Sequence, residues 1–164
     1  EKAFTAIIKK YQEKLYWHIR RMVVDHEDAN DVLQNAFIRV WKGLDNFRED
    51  SQLYTWIYRI GTNECLTFLE QKKRKSTVSL DGDVETGLSN TIKADKHFDP
   101  NKLEWKLQLA MQQLPEKQRV VFNLRYYDEM PYEEMSKVLE TSEGALKASY
   151  HHAVKKIEDF ILNH

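Results

Sequence analysis

The chain is 164 residues long with a formal net charge of −1, and 31% of its residues are charged, so it suits one ordinary globular domain or two small ones. No stretch approaches the roughly 20 apolar residues of a membrane span, and no signal peptide is visible. A single cysteine, Cys65, leaves no intrachain disulfide framework and no Cys-rich zinc site. The chain starts at Glu1 rather than Met, which fits a trimmed natural N-terminus, and a cytoplasmic location is the expectation.

Scarce Gly and Pro beside frequent Leu, Lys, Glu and Gln favour helix throughout. An apolar stripe at Phe4, Ile7, Ile8, Tyr11, Leu15, Ile19 and Met22 predicts a helix over 3–24. Asp25-His26-Glu27-Asp28 breaks it, and Asp28 is placed to cap a second helix running to about Lys42. In that helix Val32, Leu33, Ala36, Phe37, Val40 and Trp41 are expected to face the core. Gly43 weakens its end, and residues 45–51 read as a loop. A third helix follows, apolar at Leu53, Trp56, Ile57, Ile60, Leu66 and Leu69. It ends in the basic run Lys72-Lys73-Arg74-Lys75, which suits a helix C-terminus without any ligand.

Residues 76–101 change character, with small and acidic residues, two glycines and no sustained period. They read as a flexible linker, too long for a loop inside one compact domain. Residues 1–75 hold 14 Lys/Arg against 11 Asp/Glu, the linker 2 against 5, and residues 102–164 hold 9 against 10. Helical pattern resumes with Leu103, Leu107 and Met111. Leu114-Pro115-Glu116 then opens another helix, with Pro115 expected in its first turn and Val120, Val121 and Leu124 apolar. The expected fold is all-α: two small helical domains, 1–75 and 102–164, joined by the flexible linker.

The last stretch is the most informative. Met135, Val138 and Leu139 share one face of a short helix after Pro131. Leu146, Tyr150, Ala153, Ile157 and Ile161 share one face of the next. Only Glu140-Thr141-Ser142 separates them, and Ser142 is placed to accept from backbone N–H groups near Gly144 and Ala145. Two short helices about so tight a turn suggest a helix-turn-helix, whose second helix can enter a major groove.

Two constellations stand upstream. Asp28, Asp31, Gln34 and Asn35 lie on one face of the second helix, where they suit a basic partner or simply a solvated surface. Phe47, Arg48, Asp50 and Ser51, then Tyr58, Arg59 and Asn63, combine aromatics, Arg and Asn. That is the chemistry of single-stranded recognition: rings stack on bases, amides read their edges and Arg meets phosphate. The same aromatics also suit a core, and Trp56 reads that way. No nucleophile–base–orienter set is visible, so no enzymatic activity is expected, and neither a cofactor nor a metal site.

Taken in order, DxxDxxQxxFxxxW, FRxxSxxxTWxYRIxxN and LPEKQRxVFxLRYxxxxxYEE, with the terminal helix-turn-helix, resemble the extracytoplasmic-function sigma factors of bacterial RNA polymerase. The resemblance covers nearly the whole chain, the linker aside. It implies a first domain that docks on core RNA polymerase and melts the −10 element, and a second that binds the −35 element as duplex promoter DNA. Carried over by position, Asp28, Asp31 and Gln34, with Trp41 as a packing residue, match the clamp-binding helix, and Asn35 lies on the same face. Phe47, Arg48, Asp50 and Ser51 match the loop that holds a flipped −10 base. Arg59 and Asn63 match the helix beside that strand, with Tyr58 nearby. An anti-sigma factor is the regulatory partner implied.

The departures from the family pattern bear on affinity. Asn30 and Asn35 stand where the family usually has acids. In the recognition helix, Ala145, Ala148 and Ser149 replace polar or cationic family residues, and His152 stands at a later Arg. Lys147, Ser149, His151 and His152 are left as the groove-facing set, with Ser142 at the cap and Lys155 near phosphate. Phosphate contacts supply salt-dependent affinity, so weak binding to duplex alone is expected. Two other readings stand beside this one: a helix-turn-helix regulator acting without polymerase, and a helical protein-binding adaptor.

Overall fold

The structure is a computed structural model; it describes residues 1–48, 51–76 and 103–163. Among these residues the chain is helical, without a strand. The expected 76–101 linker and Asp50 lie essentially outside the described residues.

Helix α1 spans Lys2–Val23, and its Leu15, Ile19 and Met22 are fully buried. It stops at Val24, whose φ of 73° and ψ of −52° form a γ-turn in which Asp25 N–H donates to the Val23 carbonyl at 2.9 Å. A β-branched residue is strained there. The Arg20 Nε donor reaches the Val24 carbonyl at 2.5 Å and helps hold the turn.

Helix α2 spans His26–Gly43. Its cap is Asp25 rather than the expected Asp28: the Asp25 carboxylate accepts from Asp28 N–H at 3.0 Å, so Asp28 sits three residues into the helix. Glu27 and Asp28 in the first turn and Lys42 in the last suit the helix dipole. Leu44–Asn46 extends α2 as one 3₁₀ turn within the expected loop.

Helix α3 spans Leu53–Ser76 and packs on α1 and α2. Gly61 sets the α1–α3 spacing, because a Cβ there would meet Leu15 Cδ1 at 2.7 Å. The chain resumes in α4, Leu103–Gln112, whose Met111 is buried while Leu103 is exposed. Helix α5, Glu116–Phe122, begins after Pro115, which is the N-cap with ψ of 145° rather than a first-turn residue. Asn123–Tyr127 continues α5 as a π-helical turn. Then come α6, Tyr132–Leu139, and α7, Glu143–Asn163.

The α6–α7 turn has the helix-turn-helix form. Glu140 adopts the left-handed conformation, φ 51° and ψ 43°, and ends α6. Ser142 Oγ accepts from Ala145 N–H at 3.2 Å, and Ser136 Oγ donates to the Thr141 carbonyl at 2.7 Å. Met135, Val138 and Leu146 are buried together in one cluster, and Ala153 and Ile157 are buried farther along α7.

The two helical units are packed together. One buried cluster runs from Leu15, Ile19 and Ile57 in the first unit to Val121, Leu124, Met135 and Leu146 in the second. A smaller one, Ala110, Met111, Leu114, Phe122, Ala153 and Ile157, belongs to the second unit alone. Helix α3 is therefore covered on two sides, by α1 and α2 and by α6.

Candidate nucleic-acid interface

The candidate residues fall on three surfaces. On α2, Asp31, Gln34 and Asn35 are exposed, and Asp28 is half-buried with Oδ2 3.4 Å from Lys72 Nζ. Trp41, expected in the core, is 48% exposed, and Ile38 beside it is 50% exposed. The Trp41 ring meets Phe4 edge-on at 4.9 Å. Phe4, Ile8, Leu33, Phe37, Ile38 and Trp41 thus line a shallow apolar groove of about 480 Å³ between α1 and α2, with Gln34 at its edge. Ile38 was missed by sequence reasoning, which followed the inward stripe; its signal is an apolar residue four positions after Gln34, on the polar face.

The second surface is α3 with the segment before it. Phe47 is half-buried with its ring 4.8 Å from that of Trp56, Arg48 is exposed and Ser51 is half-buried. Arg59 and Asn63 are exposed on α3. Tyr58 instead is 4% exposed and turns toward the second unit, where its hydroxyl donates to Asp128 Oδ1 at 3.2 Å. Burial, then the Asp128 charge, pushes the Tyr58 phenol well above its ordinary range, so it stays a neutral donor.

A polar cluster absent from the sequence reading joins the units around Tyr58. His18 and Asn123 are wholly buried. Asn123 Nδ2 donates to the His18 carbonyl at 2.9 Å, and its Oδ1 accepts from Arg21 Nε at 2.6 Å. His18 Nε2 is 2.9 Å from Thr62 Oγ1. His18 Nδ1 lies 3.0 Å from Asn123 Nδ2 and 3.2 Å from Asp128 Oδ2, and that nitrogen serves one of them at a time, as acceptor or as donor. Arg21 Nη2 completes the cluster, 3.3 Å from Asp128 Oδ1; burial lowers the Arg21 pKa and the Asp128 charge opposes that shift. Farther along α3, Thr55 Oγ1 donates to Glu134 Oε2 at 2.5 Å, and Arg59 pairs with Glu140. The sequence signal was a histidine and an asparagine set inside apolar stripes.

The third surface is α7. Lys147, His151, His152 and Lys155 are exposed and Ser149 is half-buried, while Leu146 and Ala153 anchor the opposite side. Lys147 Nζ sits 5.7 Å from the Tyr132 ring centroid. The His151 and His152 rings are 5.9 Å apart and tilted by 62°, as successive helical positions require. Among the described residues no group of three or more His, Cys, Asp or Glu is placed to hold a metal ion, and no helix is long and apolar enough to cross a membrane.

The family model for sigma-70 region 2 matches residues 7–75, and that for sigma-70 region 4 matches residues 104–157. The RNA polymerase sigma-H factor of Pseudomonas aeruginosa is 30% identical, over 96% of this chain and 86% of that protein. The ECF RNA polymerase sigma-E factor of Escherichia coli K12 is 30% identical, over 97% and 86%. The ECF RNA polymerase sigma factor SigW of Bacillus subtilis is 33% identical, over 91% and 83%. Among solved structures, the sigma factor RpoE in complex with the anti-sigma factor NepR from Bartonella quintana shares the fold, with a TM-score of 0.80 at 17% identity over 98% of each chain. CnrH in complex with the cytosolic domain of CnrY does so with a TM-score of 0.70 at 20% identity, over 98% of this chain and 88% of that one.

Region 2 followed by region 4 on one chain defines a promoter-specificity subunit of RNA polymerase. The chain belongs to the extracytoplasmic-function sigma factors of the sigma-70 family. Its function is promoter-specific transcription initiation, and likeness across both regions disfavours a stand-alone regulator.

Proposed function

We propose that the three surfaces divide the work of initiation. Residues 1–75 dock on core RNA polymerase and read the −10 element, residues 76–101 tether, and residues 102–164 bind the −35 duplex. The observation that carries this reading is the α2 face: Asp31, Gln34 and Asn35 are exposed in line with Ile38 and half-exposed Trp41. An aromatic anchor ringed by polar groups is the composition of an interface centre. The partner is the polymerase clamp, which meets Asp28, Asp31, Gln34 and Asn35 with basic groups and fills the groove with apolar ones.

Phe47, Arg48, Asp50 and Ser51 hold the flipped −10 base, and Arg59 and Asn63 meet the strand beside it. Extruding a base costs a few kcal/mol, returned here by stacking and edge hydrogen bonds. Melting is thus binding work, and the protein is not an enzyme. Ser142, Lys147, Ser149, His151, His152 and Lys155 present the duplex surface. An anti-sigma factor covers these faces in the inactive state, a partner of the kind that NepR is for the structurally similar RpoE. The site of action is the cytoplasm, where core polymerase works.

The test is polymerase dependence: promoter DNA is footprinted and transcribed with and without core enzyme. Protection and transcripts are expected only with core. Specific footprints without it would favour a regulator acting alone.

A further inference from the structure

Beside the α1 contacts of His18 and Arg21, a second set of inter-unit contacts falls on the helix assigned to the −10 strand. Thr55, Tyr58 and Arg59 of α3 each meet a carboxylate of the second unit: Glu134, Asp128 and Glu140. Arg21 of α1 meets Asp128 as well. These three acids lie on α6, in the turn before it and at its C-cap, so one short segment supplies all of them. A carboxylate oxygen accepts the same hydrogen bonds from hydroxyl and guanidinium groups as a phosphate oxygen does.

The cover is one-sided. The groove-facing residues of α7, Lys147, His151, His152 and Lys155, stay exposed, and so do Asp31, Gln34 and Trp41 on α2. Among the described residues of the three surfaces, the carboxylates engage Tyr58 and Arg59 of the strand surface, while Arg48 and Asn63 stay exposed. Depth differs among the contacts: Thr55–Glu134 and Tyr58–Asp128 are sheltered, whereas Arg59 and Glu140 are 45% and 70% exposed. The outer pair is weak in water and exchanges readily.

We propose that Asp128, Glu134 and Glu140 act as an internal mimic of the promoter strand, holding the polar groups of α3 until core polymerase and DNA displace them. This rests on the reading of α3 as the strand-contacting helix. Core docks on the open α2 face first; the units then part, and the strand takes the positions that the carboxylates leave. A chain that is mostly closed binds strand with an affinity lowered by the fraction of open molecules.

The test uses the full chain with Asp128→Asn, Glu134→Gln and Glu140→Gln together, which removes three charges and keeps side-chain shape. A control with Glu133→Gln, Glu143→Gln and Glu158→Gln removes the same charge from exposed positions outside the contact. The probe is a single-stranded DNA oligonucleotide from the non-template strand of a promoter on which the holoenzyme initiates, and binding is read by fluorescence anisotropy. Spin labels on cysteines placed at exposed Thr67 and Lys156 report separation of the units; the buried Cys65 is left unlabelled.

The contact variant is expected to gain about tenfold in strand affinity and to show a wider label distance, as a rise in the open fraction requires. The control gains far less. Equal gains in both, or no gain with the units parted, would overturn the mimic. A holoenzyme carrying Arg59→Ala separates the two readings. Slowed open-complex formation there upholds the α3 assignment, so a missing gain then counts against the mimic alone. An unchanged rate removes the α3 assignment, and the mimic with it.

Discussion

Asn123 in the second unit donates its side-chain amide to the main-chain carbonyl of His18 in the first, 2.9 Å away and 105 residues apart in sequence. The same side chain accepts from Arg21 Nε, so both ends of one buried amide are engaged across the contact. Such an amide is expensive to leave unmade, because neither water nor another protein group replaces its partners. Asn123→Ala is expected to lower unfolding free energy by about 1–3 kcal/mol. Urea unfolding checks this: the midpoint should fall while the slope is kept.

Trp41 separates binding from folding. Half of its surface is already in water, so Trp41→Ala should leave stability within about 1 kcal/mol of wild type. Affinity for core polymerase should fall by about tenfold or more, as for an aromatic anchor at an interface centre. Asp31→Ala with Gln34→Ala should weaken core binding in the same assay. Unchanged affinity in both variants would remove the clamp assignment of α2.

Asn63 is exposed on α3 and makes no contribution to the buried cluster. Asn63→Ala is therefore expected to slow open-complex formation, read by permanganate footprinting of the melted strand, by about 10-fold, the loss of one or two edge hydrogen bonds. Core affinity should stay as in wild type. Equal losses in both assays would point to a folding defect.

Lys147 points from α7 into solvent, apart from its approach to Tyr132. Lys147→Ala should weaken binding of the holoenzyme to −35 duplexes of different sequence about equally, and lower the salt slope by about 1. A loss confined to one sequence would instead make Lys147 a base reader.

Alkaline pH should loosen the second unit. Burial pushes the Tyr127 phenol up to about 12, and its hydroxyl lies 3.0 Å from Gln108 Nε2. The ordinary phenol value is about 10. The unfolded chain therefore releases this proton first as pH rises, and the stability that the neutral phenol contributes is full below about pH 10. It is lost as pH climbs through about 12. Tyr58 shifts in the same direction. Urea unfolding across this window should show falling stability, with a shallower fall in Tyr127→Phe.

Much of the helical skeleton was legible because each helix buries one stripe at a period near 3.6 residues. The stripes of α1, α6 and α7 fold as their spacing predicts, and the Ser142 cap forms. The misreadings are local. Asp25 and Asp28 are both competent caps three residues apart, and the γ-turn at Val24, which periodicity does not see, selects Asp25. Pro115 sits one position before the first turn because its extended ψ of 145° precedes the helical run. Trp41 follows an apolar stripe yet stands at the groove mouth, where its ring packs on Phe4 along one edge and leaves the rest to solvent.

Helix α3 shows where pattern stops informing. Its apolar residues mark the side against α1 and α2, but Thr55, Tyr58 and Thr62 are buried as well, on a side that reads as partly polar. Local sequence by itself determined the helices, the helix-turn-helix and the order of motifs that defines a sigma factor, because caps, period and spacing act over a few residues. Tertiary structure alone decided that the two units close on each other through His18, Arg21, Asn123 and Asp128, and that α3 lies under the carboxylates of α6. A hydrogen bond between residues 105 positions apart leaves no periodic trace, since each partner is an ordinary polar residue until the fold brings the other beside it.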